Sequence, residues 1–173
     1  MTYLLDTNVI SEVSKPRPDD NVLCWLQDAT GNVCTCSVVV EEMYYGILLL
    51  PDGKRKYDLR RHTDSLVADL LDRVLPFDMR SAYACAQLQA KAHASGRTPA
   101  LEDVMIAAIA QRNNCILATR NVKDFDYLGV ETVNPFDYIP PEMNKQGTAA
   151  DGLDGTGAMD APRSADAAGP ADG

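Results

Sequence analysis

Short apolar runs separated by longer segments of helical period recur through residues 1–141, and this alternation limits the folds open to the chain. Tyr3-Leu4-Leu5 ends on Asp6. Asn32-Val33-Cys34-Thr35-Cys36 and Val74-Leu75-Pro76 follow, then Cys115-Ile116-Leu117-Ala118-Thr119 and Glu131-Thr132-Val133. Runs this short and this apolar read as strands buried on both faces. When such strands alternate with helices, the expected product is an α/β domain with a parallel sheet covered on both faces. Ligands of such sheets bind outside the carboxyl ends of the strands. Asp6 and Thr119-Arg120-Asn121 both fall at such ends, so two distant parts of the sequence point toward one site.

The intervening segments carry recognisable starts and stops. Thr7 or Asn8 is placed to cap a short first helix, and Asp19 or Asp20 a second through Val22, Leu23, Trp25 and Leu26. Ser37 is placed to cap a third, through Glu41, Glu42, Tyr45 and Leu49, stopping before Pro51-Asp52-Gly53. A polar helix is predicted over residues 54–73, with apolar positions Leu59, Leu66, Leu70 and Leu71. Further helices are predicted over 80–95, ending at Gly96, and over 101–113, with Asn114 as its stop.

The composition changes after residue 141. Residues 142–173 are mainly Ala, Gly, Asp and Pro and contain no Phe, Trp, Tyr, Ile or Val. Such a segment has too little apolar surface to offset its ordering entropy and is expected to be a disordered tail. No apolar run approaches the roughly 18 residues of a membrane-spanning helix, and Asp6 interrupts the N-terminal segment where a signal peptide would be apolar. A soluble, cytoplasmic protein is expected. Five cysteines without a paired CxxC spacing predict reduced, mostly buried thiols rather than a disulfide framework or a zinc site.

The formal charge is −9, so a global basic field for nucleic acid is absent. The carboxylates are more informative. Asp6 directly follows a strand and could simply cap a helix. Glu41 and Glu42 project about 100° apart on their helix, which turns one toward solvent and the other inward. Asp103 shares a face with Ile106, Ala107 and Ala110 at i+3, i+4 and i+7, which aims it at the sheet. An inward carboxylate requires a partner or a cation. Hard cations such as Mg²⁺ take one or two carboxylates plus waters and phosphate oxygens, and a further carboxylate can orient or deprotonate water.

These residues lie in segments that resemble PIN-domain proteins of the VapC type. Leu4-Leu5-Asp6-Thr7-Asn8-Val9-Ile10-Ser11-Glu12 is similar to the family's opening, and Glu42-Met43-Tyr44-Tyr45-Gly46 to its internal Glu-Leu-x-x-Gly motif. Pro99-Ala100-Leu101-Glu102-Asp103 with Ile106-Ala107-Ala108 resembles its third motif. Ala118-Thr119-Arg120-Asn121 with Asp124-Phe125 and Asn134-Pro135-Phe136 resembles its C-terminal end. The resemblance covers about residues 2–138. It implies a three-layer α/β/α fold with a central, mostly parallel sheet and Mg²⁺- or Mn²⁺-dependent ribonuclease activity. It further implies a toxin of a type II toxin–antitoxin module, held inactive by a cognate antitoxin, forming a homodimer and cutting tRNA or rRNA. By position, Asp6 and Asp103 match the metal-binding aspartates and Glu42 the catalytic glutamate. Many members carry an aspartate where this chain has Asn121, so either Asn121 or Asp124 fills the fourth position.

Lys54, Arg55, Lys56, Arg60, Arg61 and His62 form a basic run with Tyr57 between them. It reads either as a solvated helix face or as a rim for RNA phosphates, with Arg97, Arg120 and Lys123 adding to it from loops near the site. Two rival readings remain. A phosphatase with an aspartate nucleophile would need an acid two residues beyond Asp6, where Asn8 stands. A degenerate PIN-like binding module without nuclease activity would act only through a regulatory partner.

Overall fold

The computed structural model describes residues 1–140; the predicted tail lies outside the described residues. Five strands form one parallel sheet: β1 (Thr2–Leu5), β2 (Val33–Cys36), β3 (Val74–Leu75), β4 (Cys115–Ala118) and β5 (Thr132–Val133). Their spatial order is β3-β2-β1-β4-β5. β1 pairs with β2 through Leu4 and Cys34 and with β4 through Leu5 and Ala118. The chain therefore moves outward from β1 to β3 on one side, then returns to place β4 on the other. The order reverses between β1 and β4, which opens a crevice at their carboxyl ends.

Seven helices are described between the strands: α1 (Thr7–Val13), α2 (Asp20–Asp28), α3 (Ser37–Leu48), α4 (Lys54–Asp69), α5 (Met79–Ala94), α6 (Leu101–Arg112) and α7 (Val122–Phe125). They flank the sheet in the expected α/β/α arrangement. The core draws on the central strands and on α6: Leu4, Leu117, Ala118, Val104, Ile106 and Ile109 are fully buried. Trp25 is buried too, with its ring edge-on to Tyr3 at a centroid distance of 5.0 Å. The cysteines are free thiols; burial pushes Cys34 up to about 12 and Cys36 to about 11.

Several local expectations are corrected. Asp6, not Thr7 or Asn8, caps α1, because its carboxylate accepts from the Thr7 amide at 2.7 Å. Asp19 caps α2. Ser37 is the first residue of α3 rather than its cap, and its hydroxyl instead accepts from the Phe77 amide at 3.0 Å, tying α3 to the segment after β3. α4 stops at Asp69; residues 71–73 form a separate 3-10 turn, and Leu71 is exposed rather than part of the apolar stripe. The segment around Asp124 contains the single turn of α7, anchored by the buried Phe125.

Candidate active site

The crevice between β1 and β4 is polar from its first residue. Asp6 is buried, yet it accepts three hydrogen bonds. Its Oδ1 accepts from the Thr7 amide, and its Oδ2 from Asn8 Nδ2 and from Thr119 Oγ1, both at 2.6 Å. Thr119, fully buried beyond the end of β4, also accepts from Asn8 Nδ2 at 3.1 Å and from the Asn121 amide at 3.0 Å. Asn8 Oδ1 in turn accepts from the Arg120 amide at 3.0 Å. The ends of β1 and β4 are thus stitched together by Asp6, Asn8 and Thr119. The strand-to-helix turn after β1 supplies two of these groups, and the residue after β4 supplies the third.

Glu42 enters from the second turn of α3 and accepts a hydrogen bond from the Thr7 hydroxyl. It is half-buried, whereas its neighbour Glu41 is exposed, as the helical angle predicts. Asp103 sits in the first turn of α6, half-buried, with Glu102 exposed beside it. Because α6 precedes β4, its N-terminus lies at the sheet edge where the strands end.

The electrostatics show that these carboxylates share one region. Burial raises the Asp103 pKa to about 6, helped by the negative charges of Asp6, Asp124, Glu42 and Glu102. Burial also raises Glu42, with Asp6 adding to the effect against the Thr7 hydrogen bond. Asp6 is raised by burial despite its three donors. Among the described residues the ion pairs are Lys15–Glu12, Lys56–Asp52 and Arg60–Asp64, so no cationic side chain neutralises Asp6, Glu42 or Asp103.

A stability test follows. The folded chain binds the Asp103 proton more tightly than the unfolded chain, where the value is 3.8. Its contribution therefore grows as pH falls through about 6 toward 3.8 and is lost as pH rises above that window. Asp6 and Glu42 act in the same direction. In the absence of divalent ions, the rise in thermal midpoint from about pH 7.5 to about pH 5 should be larger for the native chain than for Asp103→Asn. Equal responses in the two proteins would show that Asp103 is not held in this repulsive field.

The donor set suits a hard cation: every candidate ligand atom is oxygen. Among the described residues no group of three or more His, Cys, Asp or Glu side chains is drawn together tightly enough to hold an ion. Oxygen donors of this kind fit an ion that takes one or two carboxylates and fills its remaining positions with water, as Mg²⁺ does.

The remaining predicted residues are placed as follows. Asn121 is exposed and contributes its backbone amide to Thr119. Asp124 is exposed but close enough to bear on Asp103. Lys54 and Arg55 line a groove of about 910 Å³ along α1, α3 and α4, to which Asp6, Glu42 and Asp103 do not contribute. Lys56 is bound to Asp52 at 3.0 Å and to the Leu48 carbonyl. Arg60 pairs with Asp64 at 3.4 Å and lies over Tyr44, while Arg61 lies over Tyr57. The sequence reading did not assign Thr7, Asn8 and Thr119 as the groups that hold the acids. Their signal was a hydroxyl or amide residue directly beyond a buried strand.

A parallel α/β sheet with an acid cluster at its topological switch point defines a class of site suited to metal-assisted hydrolysis. The chain belongs to the PIN domain family, whose model matches residues 3–130. It is similar to VapC ribonuclease Y4jK of Sinorhizobium fredii (35% identity; 78% of this chain and 97% of the relative). It is also similar to toxin FitB of Neisseria gonorrhoeae (36% identity; 77% of this chain and 97% of the relative). The solved structure of FitAB bound to an IR36 DNA fragment superposes with a TM-score of 0.74 at 35% identity, covering 80% of this chain and 98% of that one.

Proposed function

We propose that this chain is a metal-dependent endoribonuclease and the toxin of a type II toxin–antitoxin module, held inactive by its cognate antitoxin. The observation that carries the reading is the convergence of Asp6, Glu42 and Asp103, from three separate elements, in one region that no cationic side chain of the described residues neutralises. Similarity over most of the chain to a VapC ribonuclease and to a toxin supports the activity and the biological role. Similarity to a FitAB structure holding DNA supports a partner protein that also engages DNA. Among the described residues no helix is long and apolar enough to cross a membrane. The proposed place of action is the cytoplasm, on tRNA or rRNA.

Asp6 and Asp103 would hold Mg²⁺ or Mn²⁺. When bound, such an ion supplies Lewis acidity at a phosphoryl oxygen and lowers the pKa of water. Asp6 keeps its orientation through Thr119, Asn8 and the Thr7 amide. Glu42, held by the Thr7 hydroxyl, accepts a proton from the attacking water. Its raised pKa makes it a stronger base than a surface glutamate. Asp124 occupies the fourth acidic place in this reading, and Asn121 contributes through its backbone. Lys54, Arg55, Lys56, Arg60 and Arg61 offer charge to more distant RNA phosphates. The only histidines, His62 and His93, lie on α4 and α5, outside the acid cluster, so a histidine acid–base pair has no part in this reaction.

Purified chain incubated with RNA should cleave in Mg²⁺ and stop in EDTA, leaving 5′-phosphate and 3′-hydroxyl ends. Cleavage that persists in EDTA, or cyclic phosphate ends, would overturn the mechanism.

A further inference from the structure

We propose that Asn8 and Thr119 saturate one oxygen of Asp6, so that Asp6 meets a divalent cation through Oδ1 alone and the site favours Mg²⁺ or Mn²⁺ over Ca²⁺; the inference rests on the metal-dependent reading above. An ionised carboxylate has two oxygens and about four lone-pair sites. Asp6 Oδ2 accepts from Asn8 Nδ2 and from Thr119 Oγ1, both at 2.6 Å, which uses both of its sites. Among the described residues Oδ1 accepts only from the Thr7 amide, at 2.7 Å. A single lone pair on Oδ1 is therefore what Asp6 has left to give.

The network around Oδ2 has no slack. The Arg120 amide donates to Asn8 Oδ1 at 3.0 Å, and an N–H faces only an acceptor. That fixes the Asn8 side-chain amide with its two N–H donors turned toward Asp6 and Thr119. One goes to Asp6 Oδ2 and the other to Thr119 Oγ1 at 3.1 Å. Thr119 Oγ1 also accepts from the Asn121 amide at 3.0 Å, so both its lone pairs are taken and its proton goes to Asp6. Arg120 is itself held, with its guanidinium over the Phe136 ring at 4.7 Å. A rigid ligand that gives one lone pair suits an octahedral ion with a firm water shell, which Mg²⁺ is. Ca²⁺ takes about six to eight oxygens in flexible geometry and draws on both oxygens of a carboxylate where it can. Here the second oxygen is withheld. Asn8 and Thr119 are thus positioning residues for the choice of metal, and neither needs to touch it.

The test uses the full chain and Mn²⁺, with binding read from the loss of the free-ion electron paramagnetic resonance signal and with Mg²⁺ or Ca²⁺ added as competitor. In the native chain Mg²⁺ should displace Mn²⁺ at lower concentration than Ca²⁺ does. In Asn8→Ala and in Thr119→Val, Mg²⁺ affinity should fall about tenfold, as loss of an outer partner commonly costs. Ca²⁺ affinity should hold or rise because Oδ2 is freed, so the preference narrows or reverses. Thr119→Ser keeps the hydroxyl and should retain the native preference. A native chain that yields Mn²⁺ to Ca²⁺ as readily as to Mg²⁺ overturns the inference, whether or not the variants fold. Alanine and valine variants that keep both the native thermal midpoint and the native preference overturn it too. In both cases Mn²⁺ binding leaves the metal-dependent reading standing; a native chain that binds no Mn²⁺ overturns that reading as well.

Discussion

Asp103→Asn should lower RNA cleavage by more than about a hundredfold in a protein that folds normally. Loss even of an outer partner to a metal ligand commonly costs 10- to 100-fold, and Asp103 is proposed as a ligand itself. The substitution keeps the shape of the side chain and removes its charge. It also removes a carboxylate that burial, helped by neighbouring negative charges, raises to about 6, so folding should not suffer. Asp6→Asn should act similarly on cleavage, and asparagine can still cap α1. Initial rates on a defined RNA in saturating Mg²⁺, alongside thermal midpoints, separate lost chemistry from lost fold. Retention of more than a tenth of native activity in Asp103→Asn would remove it from the centre of the reaction.

Thr119→Val should lower cleavage by about 10- to 100-fold through Asp6 rather than through any contact with RNA. The Thr119 hydroxyl donates to Asp6 Oδ2 and accepts from Asn8 and from the Asn121 amide. Valine fills the same volume but leaves these groups without their partner, at a cost of about 1–3 kcal/mol for each buried group left unsatisfied. Thr119→Ser retains the oxygen and should recover most of the activity. Comparison of the Mg²⁺ concentration needed for half-maximal rate in the three proteins distinguishes a displaced Asp6 from a merely weakened core. Equal rates in the valine and native proteins would show that Asp6 needs no support from β4.

The element series was legible because it is written in local pattern. An apolar run of three to five residues has one economical use, a strand covered on both faces, and the intervening helical periods are long enough to cross over it. The Asp103 face could be read from i+3, i+4 and i+7 spacing, and Ile106, Ala107 and Ala110 are indeed fully buried. The inward turn of Glu42 follows from the same geometry. Caps were less legible. Asp6, Thr7, Asn8 and Ser37 are all capable N-cap residues, and which one serves depends on where the strand releases the chain. The Ser37 hydroxyl takes the Phe77 amide, forty residues away, a choice that no local rule contains.

By itself, the sequence determined the α/β class, the existence of an acid at the end of the first strand, and the inward faces of α3 and α6. These are short-range matters of periodicity and burial. The strand order β3-β2-β1-β4-β5, which sets Asp6 beside Thr119, was decided only in the tertiary structure. So was the coupling of Asp103 to Asp124, and the stacking of Arg97 on Tyr127. The physical reason is that partners more than a hundred residues apart, or twenty to thirty apart across α6 and β4, meet through the packing of whole elements. A single sequence records what each element must bury, but not which neighbour it buries it against.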